Sequence, residues 1–385
     1  MRPRCALMRR TRRRGWRAER AMIRVAHLLP NMVTGGRERI VADLCRHSAN
    51  IGVEPSLILY DPDEEGRRID AGDVPQHPLD RRRADFAGAL RELLARERID
   101  GLHAQGHIAA ALAAPVVKAV PMVTSLHVAL GGGWRWAPAI ARGLRASRAV
   151  TAVSADLAQR FRWLAGRQIA VVPPGIDLAA FRPVERSPKP VFTIGIAARL
   201  HPVKRHRDAI EAMRLIGAQG VAVRLSIAGQ GPLEGDLRAR AAGLDVEFAG
   251  DVTDMPGWLA GLDAFLLCSD HEGLPLALIE ACATGLPCIA TEVGGIPQAF
   301  GDGVLTVPRR RPDAIAAMIV ELASGLELRA MVAPKATERA GAFSISGSLD
   351  HWSRRYKGML ASKLIGPRSC ENVTGGRSER PASAP

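Results

Sequence analysis

Arg182-Pro183-Val184-Glu185-Arg186-Ser187-Pro188-Lys189-Pro190 holds three prolines and no apolar period. Proline fixes φ and removes a backbone donor, so this stretch connects elements and belongs to none. The same pattern runs on both sides of it. Before it, apolar runs of strand length occur at Ile23–Leu29, 56–60, 99–103, 121–126, 149–153 and 171–174. Between them lie helical spacings at 38–47 and at 81–98, the latter with Phe86, Leu90, Leu93 and Leu94 on one face, and a helix opened by Ser154 as its N-cap. After it, strands are expected at 191–197, Val223–Ala228, 246–249, 264–268 and 287–290, with helices at 207–218, 233–242 and 275–283. Two series of alternating strands and helices, joined by a proline-rich linker, predict an α/β fold of two parallel-sheet domains with a cleft between them. The expected domains are 22–183 and 191–345. A last helix is expected at 346–365, and the Gly-, Ser-, Arg- and Pro-rich end, 366–385, has the composition of a disordered tail.

The 385 residues suffice for two hydrophobic cores. Apolar residues make up 47% and aromatics only 4%, which suits helices layered on parallel strands better than an aromatic-rich sandwich. The net charge of +14 is uneven: residues 1–20 contain nine Arg and one Glu, or +8, and the remainder carries +6. Met22 then opens the first strand-like run. Residues 1–21 are either a mis-called start or a basic arm for an anionic surface. The folded part is expected to have no nucleic-acid partner. The most apolar stretch, 108–123, is broken by Pro115, Lys118 and Pro121, and no run reaches the roughly 20 apolar residues of a membrane span. A cytoplasmic protein is expected, with peripheral contact to an anionic membrane through the arginines of 81–98 and the loop Trp134-Arg135-Trp136. Cys5, Cys45, Cys268, Cys282, Cys288 and Cys370 form no CxxC pair and no zinc spacing, so no structural metal is expected.

The chemistry concentrates in Glu272-Gly273-Leu274-Pro275-Leu276-Ala277-Leu278-Ile279-Glu280. Pro275 suits a first helical position, where its missing NH would be an orphan. The NH groups of Gly273 and Leu274, with the helix dipole, then make an anion site suited to a diphosphate. Glu280, further along the helix, can accept hydrogen bonds from a diol. Read alone, the segment is also a helix cap with one surface glutamate. Arg199 and Lys204 lie just past the strand 191–197, where open α/β sheets bind ligands, and can offset charge on a leaving diphosphate. A solvated basic loop is the plainer account of them. Gly35-Gly36 follows the first strand, and either a tight turn or a close approach to a ligand explains it. His127 ends the run Thr124-Ser125-Leu126-His127 and can bond a hydroxyl or serve structure alone. Asp61-Pro62-Asp63 has a DxD spacing, and is read as an ordinary turn.

Taken together, the segments resemble the family-4 retaining glycosyltransferases over about residues 22–365. The segments, in order, are Gly35-Gly36-Arg37-Glu38-Arg39, His103-Ala104-Gln105-Gly106-His107, Thr124 to His127, Ala152-Val153-Ser154, Val172-Pro173-Pro174-Gly175-Ile176-Asp177, Arg199 with Lys204, Ala228-Gly229-Gln230-Gly231-Pro232, Phe248-Ala249-Gly250, Glu272 to Glu280, and Gly294-Gly295-Ile296-Pro297. The resemblance implies a GT-B fold, with two Rossmann-like domains facing each other across a cleft, the N-terminal one on the acceptor side. It implies a nucleotide diphosphate sugar, UDP or GDP, as donor and no metal or other cofactor. It implies that Gly36, beside Gly35, approaches the diphosphate and that Arg199, Lys204, Gly273 and Leu274 bind it. Glu280 would hold the ribose, Glu272 and His127 would contact the transferred sugar, and the base would pack near Val252. A glycan or lipid-linked acceptor is the expectation that goes with it. Two departures are Gln298, where relatives often carry Glu, and the short basic segment 300–311.

Overall fold

The computed structural model describes residues 22–33, 35–130, 136–187 and 189–364. The extension 1–21, the tail from 366 and Trp134 lie outside the described residues.

The first sheet contains β1 (Ile23–Leu29), β2 (Val53–Leu59), β3 (Gln76–Pro78), β4 (Gly101–Gln105), β5 (Met122–Leu126), β6 (Ala149–Ala152) and β7 (Ala170–Val171). Their order is β3-β2-β1-β4-β5-β6-β7, and every pairing is parallel. The second sheet contains β8 (Phe192–Ala197), β9 (Val223–Ala228), β10 (Val246–Gly250), β11 (Ala264–Leu267), β12 (Cys288–Thr291) and β13 (Leu305–Val307), in the order β10-β9-β8-β11-β12-β13 and again parallel. Strands covered by helices on both faces are apolar throughout, which is why β11 and β12 read as unbroken buried runs. In each sheet the chain starts in the middle and reverses direction once, between β1 and β4 and between β8 and β11. A crevice opens at the carboxyl ends of such a pair, and ligands bind there in open α/β sheets.

The chain crosses between the domains twice. The first crossing is the proline-rich segment, and it is tied to the second domain: Arg186 donates to the carbonyls of Leu262 and Thr284 at 3.0 Å, and Lys189 to that of Gly261 at 2.7 Å. The second crossing runs beside Ile176, whose NH donates to Phe343 O and whose carbonyl accepts from Ile345, each at 2.8 Å. There the helix Ile345–Leu364 starts. Its Leu349, Trp352, Tyr356 and Met359 recur at helical spacing and pack on Val25, Leu44, Val53 and Val123 of the first domain. Burial of such side chains contributes roughly 1.5–3 kcal/mol each. The last described helix therefore returns from the second domain and packs on the N-terminal one.

Several expectations need correction. The helix expected over 81–98 is Phe86–Arg96, capped by Asp85, whose side chain accepts from Gly88 N at 2.9 Å; Arg81, Arg82 and Arg83 precede it. Pro275 is the N-cap and not the first helical residue, because its carbonyl accepts the first helical bond from Ile279 at 3.3 Å. The strand expected at 171–174 is Ala170–Val171 only, since prolines follow. The basic segment 300–311 contains the edge strand β13. Helices at His107–Ala113, Ala137–Ala146, Pro312–Ser324 and Leu326–Gly341 had not been expected.

Candidate active site in the cleft

On the N-terminal side, the turn after β1 delivers the helix Gly36–His47 to the crevice, with Gly35 as its N-cap. The two glycines differ. A Cβ on Gly35 would meet Glu38 Oε2 at 2.5 Å, whereas one on Gly36 would meet nothing within 4 Å. The protein itself does not require Gly36 to be bare, so the open space beside it is available to a ligand.

His127 directly follows β5 and is 8% exposed. Its Nε2 bonds Gln105 Oε1 at 2.8 Å, and Gln105 Nε2 bonds His27 Nδ1 at 2.9 Å. His103 lies beside this chain; its Nδ1 meets the Tyr356 hydroxyl and its Nε2 meets Ser125 Oγ, each at 2.8 Å. Burial, helped by the Arg37 charge, pushes His127 down to about 3. Burial alone puts His27 at about 3 as well. Both rings are neutral at any physiological pH.

On the C-terminal side, β8 leads into Arg199, and a short 3-10 turn, Pro202–Lys204, carries Lys204. Two glycines let the neighbouring strand's turn pack here: Cβ atoms on Gly229 and Gly231 would fall 2.1 Å from Ala198 O and 2.5 Å from Leu200 O. Lys204 Nζ donates to Glu272 Oε1 at 2.6 Å. The loop bearing Glu272 is held from three sides. Asp270 N donates to Val203 O at 2.8 Å, Cys268 Sγ to Lys204 O at 3.3 Å, and Arg310 grips Asp270 through two bonds of 2.9 Å. That bidentate bond keeps the Asp270 carboxyl below its usual range. Arg199 is exposed and enters no ion pair among the described residues.

Gly273 and Leu274 stand just before the helix Leu276–Ala283, and among the described residues neither amide has a backbone partner. Glu280 lies on the fifth residue of that helix and is 6% exposed. Its nearest cation comes from the other domain: Arg39 Nη2, 3.9 Å from Glu280 Oε1. Burial outweighs that distant charge, and the nearby Asp43 adds to it, so the Glu280 carboxyl rises from 4.5 to about 7.

The two halves touch at glycines. A Cβ on Gly273 would fall 2.5 Å from His127 O, and one on Gly295 would fall 2.5 Å from Ser154 Cβ. At the rim, Arg67 of the first domain pairs with Asp251 of the second at 2.8 Å, next to the half-buried Val252. The structure thus gathers Lys204, Glu272, Gly273, Leu274, Glu280 and His127 where the domains meet, with the Gly36 turn on the facing side. Gln298 is exposed on the short helix Ile296–Phe300. Asp61 pairs with Arg81 and Asp63 with Arg82, each at 2.8 Å, which accounts for the Asp-Pro-Asp turn. No role for Arg39, Gln105 or the Arg67–Asp251 pair is legible in the sequence alone. Arg39 and Gln105 lie in segments already singled out, but Arg67 and Asp251 carry no local signal at all.

The N-terminal half, residues 34–180, matches the sequence family described as Glycosyltransferase Family 4, and residues 191–325 match Glycosyl transferases group 1. The chain is similar to WcaL of Salmonella typhimurium, provisionally named a colanic acid biosynthesis glycosyltransferase: 38% identity over 173 residues, 40% of this chain and 42% of that one. It is 28% identical over 215 residues to the GDP-mannose-dependent alpha-(1-6)-phosphatidylinositol dimannoside mannosyltransferase of Mycobacterium tuberculosis, covering 53% of this chain and 54% of that one. The aligned stretches thus span about half the length of these relatives. Anabaena HepE, solved with UDP-glucose, shares the fold with a TM-score of 0.74 and 17% identity, covering 87% of this chain and 100% of that one. With a family match to each half and the two-sheet fold in common, the chain belongs to the family 4, group 1 glycosyltransferases.

Proposed function

We propose that the protein is a retaining glycosyltransferase that moves a hexose-type sugar from a UDP- or GDP-sugar to a glycan or lipid-linked acceptor, in cell-surface polysaccharide or glycolipid synthesis. The observation that carries this reading is the Lys204–Glu272 pair at 2.6 Å, set beside the Gly273 and Leu274 amides and the buried Glu280. A cation and two amide donors at one switch point match a diphosphate, and the carboxylates of Glu272 and Glu280 match a sugar and a ribose. Arrival of a diphosphate gives Lys204 a stronger anion than Glu272. Glu272 is then released to accept from hydroxyls of the transferred sugar. Arg199, exposed at the strand end, would join Lys204 on the phosphates.

In the step itself, the bond from the anomeric carbon to the diphosphate oxygen breaks. The acceptor oxygen bonds to that carbon on the same face, and its proton passes to the departing phosphate oxygen. Arg199, Lys204 and the two amides hold the charge that develops on that oxygen. The reading needs no metal, and turnover is expected to be unchanged by a chelator. The relatives suggest which donors to try, since HepE was solved with UDP-glucose and the mycobacterial relative is named for GDP-mannose.

Peripheral attachment to the inner face of the plasma membrane fits the exposed arginines at 81–83, 91, 96 and 98, and Trp136 and Trp163, 45% and 56% exposed. Among the described residues no helix is long and apolar enough to cross a membrane. A transfer assay with UDP- and GDP-sugars and a membrane lipid extract tests the proposal. Release of the nucleoside diphosphate that depends on the extract, with the donor's anomeric configuration kept in the product, supports it. Conversion of a donor to its epimer without acceptor would replace transfer with epimerisation.

A further inference from the structure

The carboxamide of Gln105 sits between two buried imidazoles. Its Nε2 donates to His27 Nδ1 at 2.9 Å, and its Oε1 accepts from His127 Nε2 at 2.8 Å. Gln105 is 1% exposed and His27 fully buried, so no bulk water can substitute for either bond. An amide offers a donor at one end and an acceptor at the other. With its nitrogen turned to His27, its oxygen requires a hydrogen on His127 Nε2. A neutral imidazole has a single N–H, so His127 Nδ1 is left as a bare lone pair. That atom is buried and has no hydrogen-bond partner among the described residues. Buried acceptors are normally satisfied, and an unmade bond costs about 1–3 kcal/mol. The backbone of the same residue lies against Gly273, next to Glu272.

We propose that Gln105 is a positioning residue: it locks His127 in its Nε2–H tautomer and so presents Nδ1 as the acceptor for one hydroxyl of the transferred sugar. The identity of that ligand rests on the nucleotide-sugar reading above; the tautomer does not. The three side chains come from β1, β4 and the end of β5, so the relay crosses the middle of the first sheet. His103 of β4, His27 of β1 and Arg37 of the helix Gly36–His47 are the other titratable or charged groups facing His127. None of them takes Nδ1 as a partner. A donor lacking the matching hydroxyl would leave Nδ1 unpaired, which gives the site a means of rejecting deoxy sugars.

Nitrogen-15 spectra of histidine-labelled protein, recorded without ligand, read the tautomer directly. The wild type should show His127 with Nε2 protonated and Nδ1 bare. Gln105→Glu, which keeps an accepting oxygen, should show the same, and Gln105→Leu should show both tautomers. In titrations, Gln105→Leu should bind UDP and GDP as the wild type does, yet bind the preferred sugar conjugate, tested as UDP-glucose and GDP-mannose, roughly tenfold more weakly, about 1.4 kcal/mol, the scale of one hydrogen bond. Gln105→Glu should recover most of that loss. Hydrogen on Nδ1 in the wild type overturns the proposal, as does an equal loss of free nucleotide and sugar nucleotide in Gln105→Leu. Because the spectrum needs no ligand, a protein with the expected tautomer that binds no nucleotide contradicts the functional reading alone.

Discussion

Glu280 is the residue whose chemistry is most displaced by its surroundings. Its carboxyl, at about 7, is half ionised near neutral pH. Its folded value lies above its ordinary one, so its favourable contribution to the free protein is present below about 4.5 and lost as pH rises through 7. Glu280→Gln should therefore gain thermal stability over the wild type at pH 8 and show no gain at pH 5, as read by melting temperature. Binding runs the other way. A ribose diol donates to the ionised form, so affinity for a nucleotide sugar should rise from pH 6 to pH 8 in the wild type and stay flat in Glu280→Gln. Lys204→Ala should cost roughly 1.5–3 kcal/mol of donor affinity by calorimetry, the scale of a charge-assisted bond. Glu272→Ala should lower turnover more than nucleotide affinity. The sequence showed Glu272 and Glu280 as candidates because their spacing along one turn and helix is local, and Lys204 because it follows a strand end. It did not show that the cation nearest Glu280 is Arg39, since that pairing spans two domains.

At the scale of elements, two glycines decide how closely the halves can meet. The obstacle to a side chain on Gly273 is the His127 backbone oxygen at 2.5 Å, which cannot rotate away. Gly273→Ala should leave the melting temperature nearly unchanged while lowering kcat/KM at least tenfold. Steady-state kinetics beside a thermal melt checks this. The helix Ile345–Leu364 makes the opposite case, because its role is adhesion. Tyr356→Phe leaves His103 Nδ1 unpaired in a buried site and should cost about 1–3 kcal/mol of folding stability by urea denaturation. Strands were legible in advance because buried parallel strands read as continuous apolar runs, and Val223–Ala228 came out with its bounds unchanged. The helix His107–Ala113 was not, since its run of alanines shows no amphipathic period. Nor was the return of the last helix to the first domain, because Leu349, Trp352 and Tyr356 signal an apolar face without saying what covers it.

Over the whole molecule, two ion pairs cross the cleft among the described residues, Arg39–Glu280 and Arg67–Asp251. The Arg67–Asp251 pair is partly exposed, and such pairs contribute at most about 1 kcal/mol and less in salt. The proline-rich crossing is fastened to the second domain, so hinge motion is expected at 175–177 and 343–345, where the two chain segments pair. A ligand that bridges the domains can thus shift the balance between open and closed forms with a modest difference in affinity. The decisive measurement is a thermal-shift comparison of the wild type and Lys204→Ala with UDP, GDP, ADP and their sugar conjugates, without added metal. At 100 times its dissociation constant a ligand stabilises by about 2.7 kcal/mol, a rise of a few degrees. One nucleotide and its sugar conjugate should raise the wild-type melting temperature by that amount, with most of the shift lost in Lys204→Ala. No shift with any of them, or a shift equal in both proteins, would contradict the nucleotide-sugar reading.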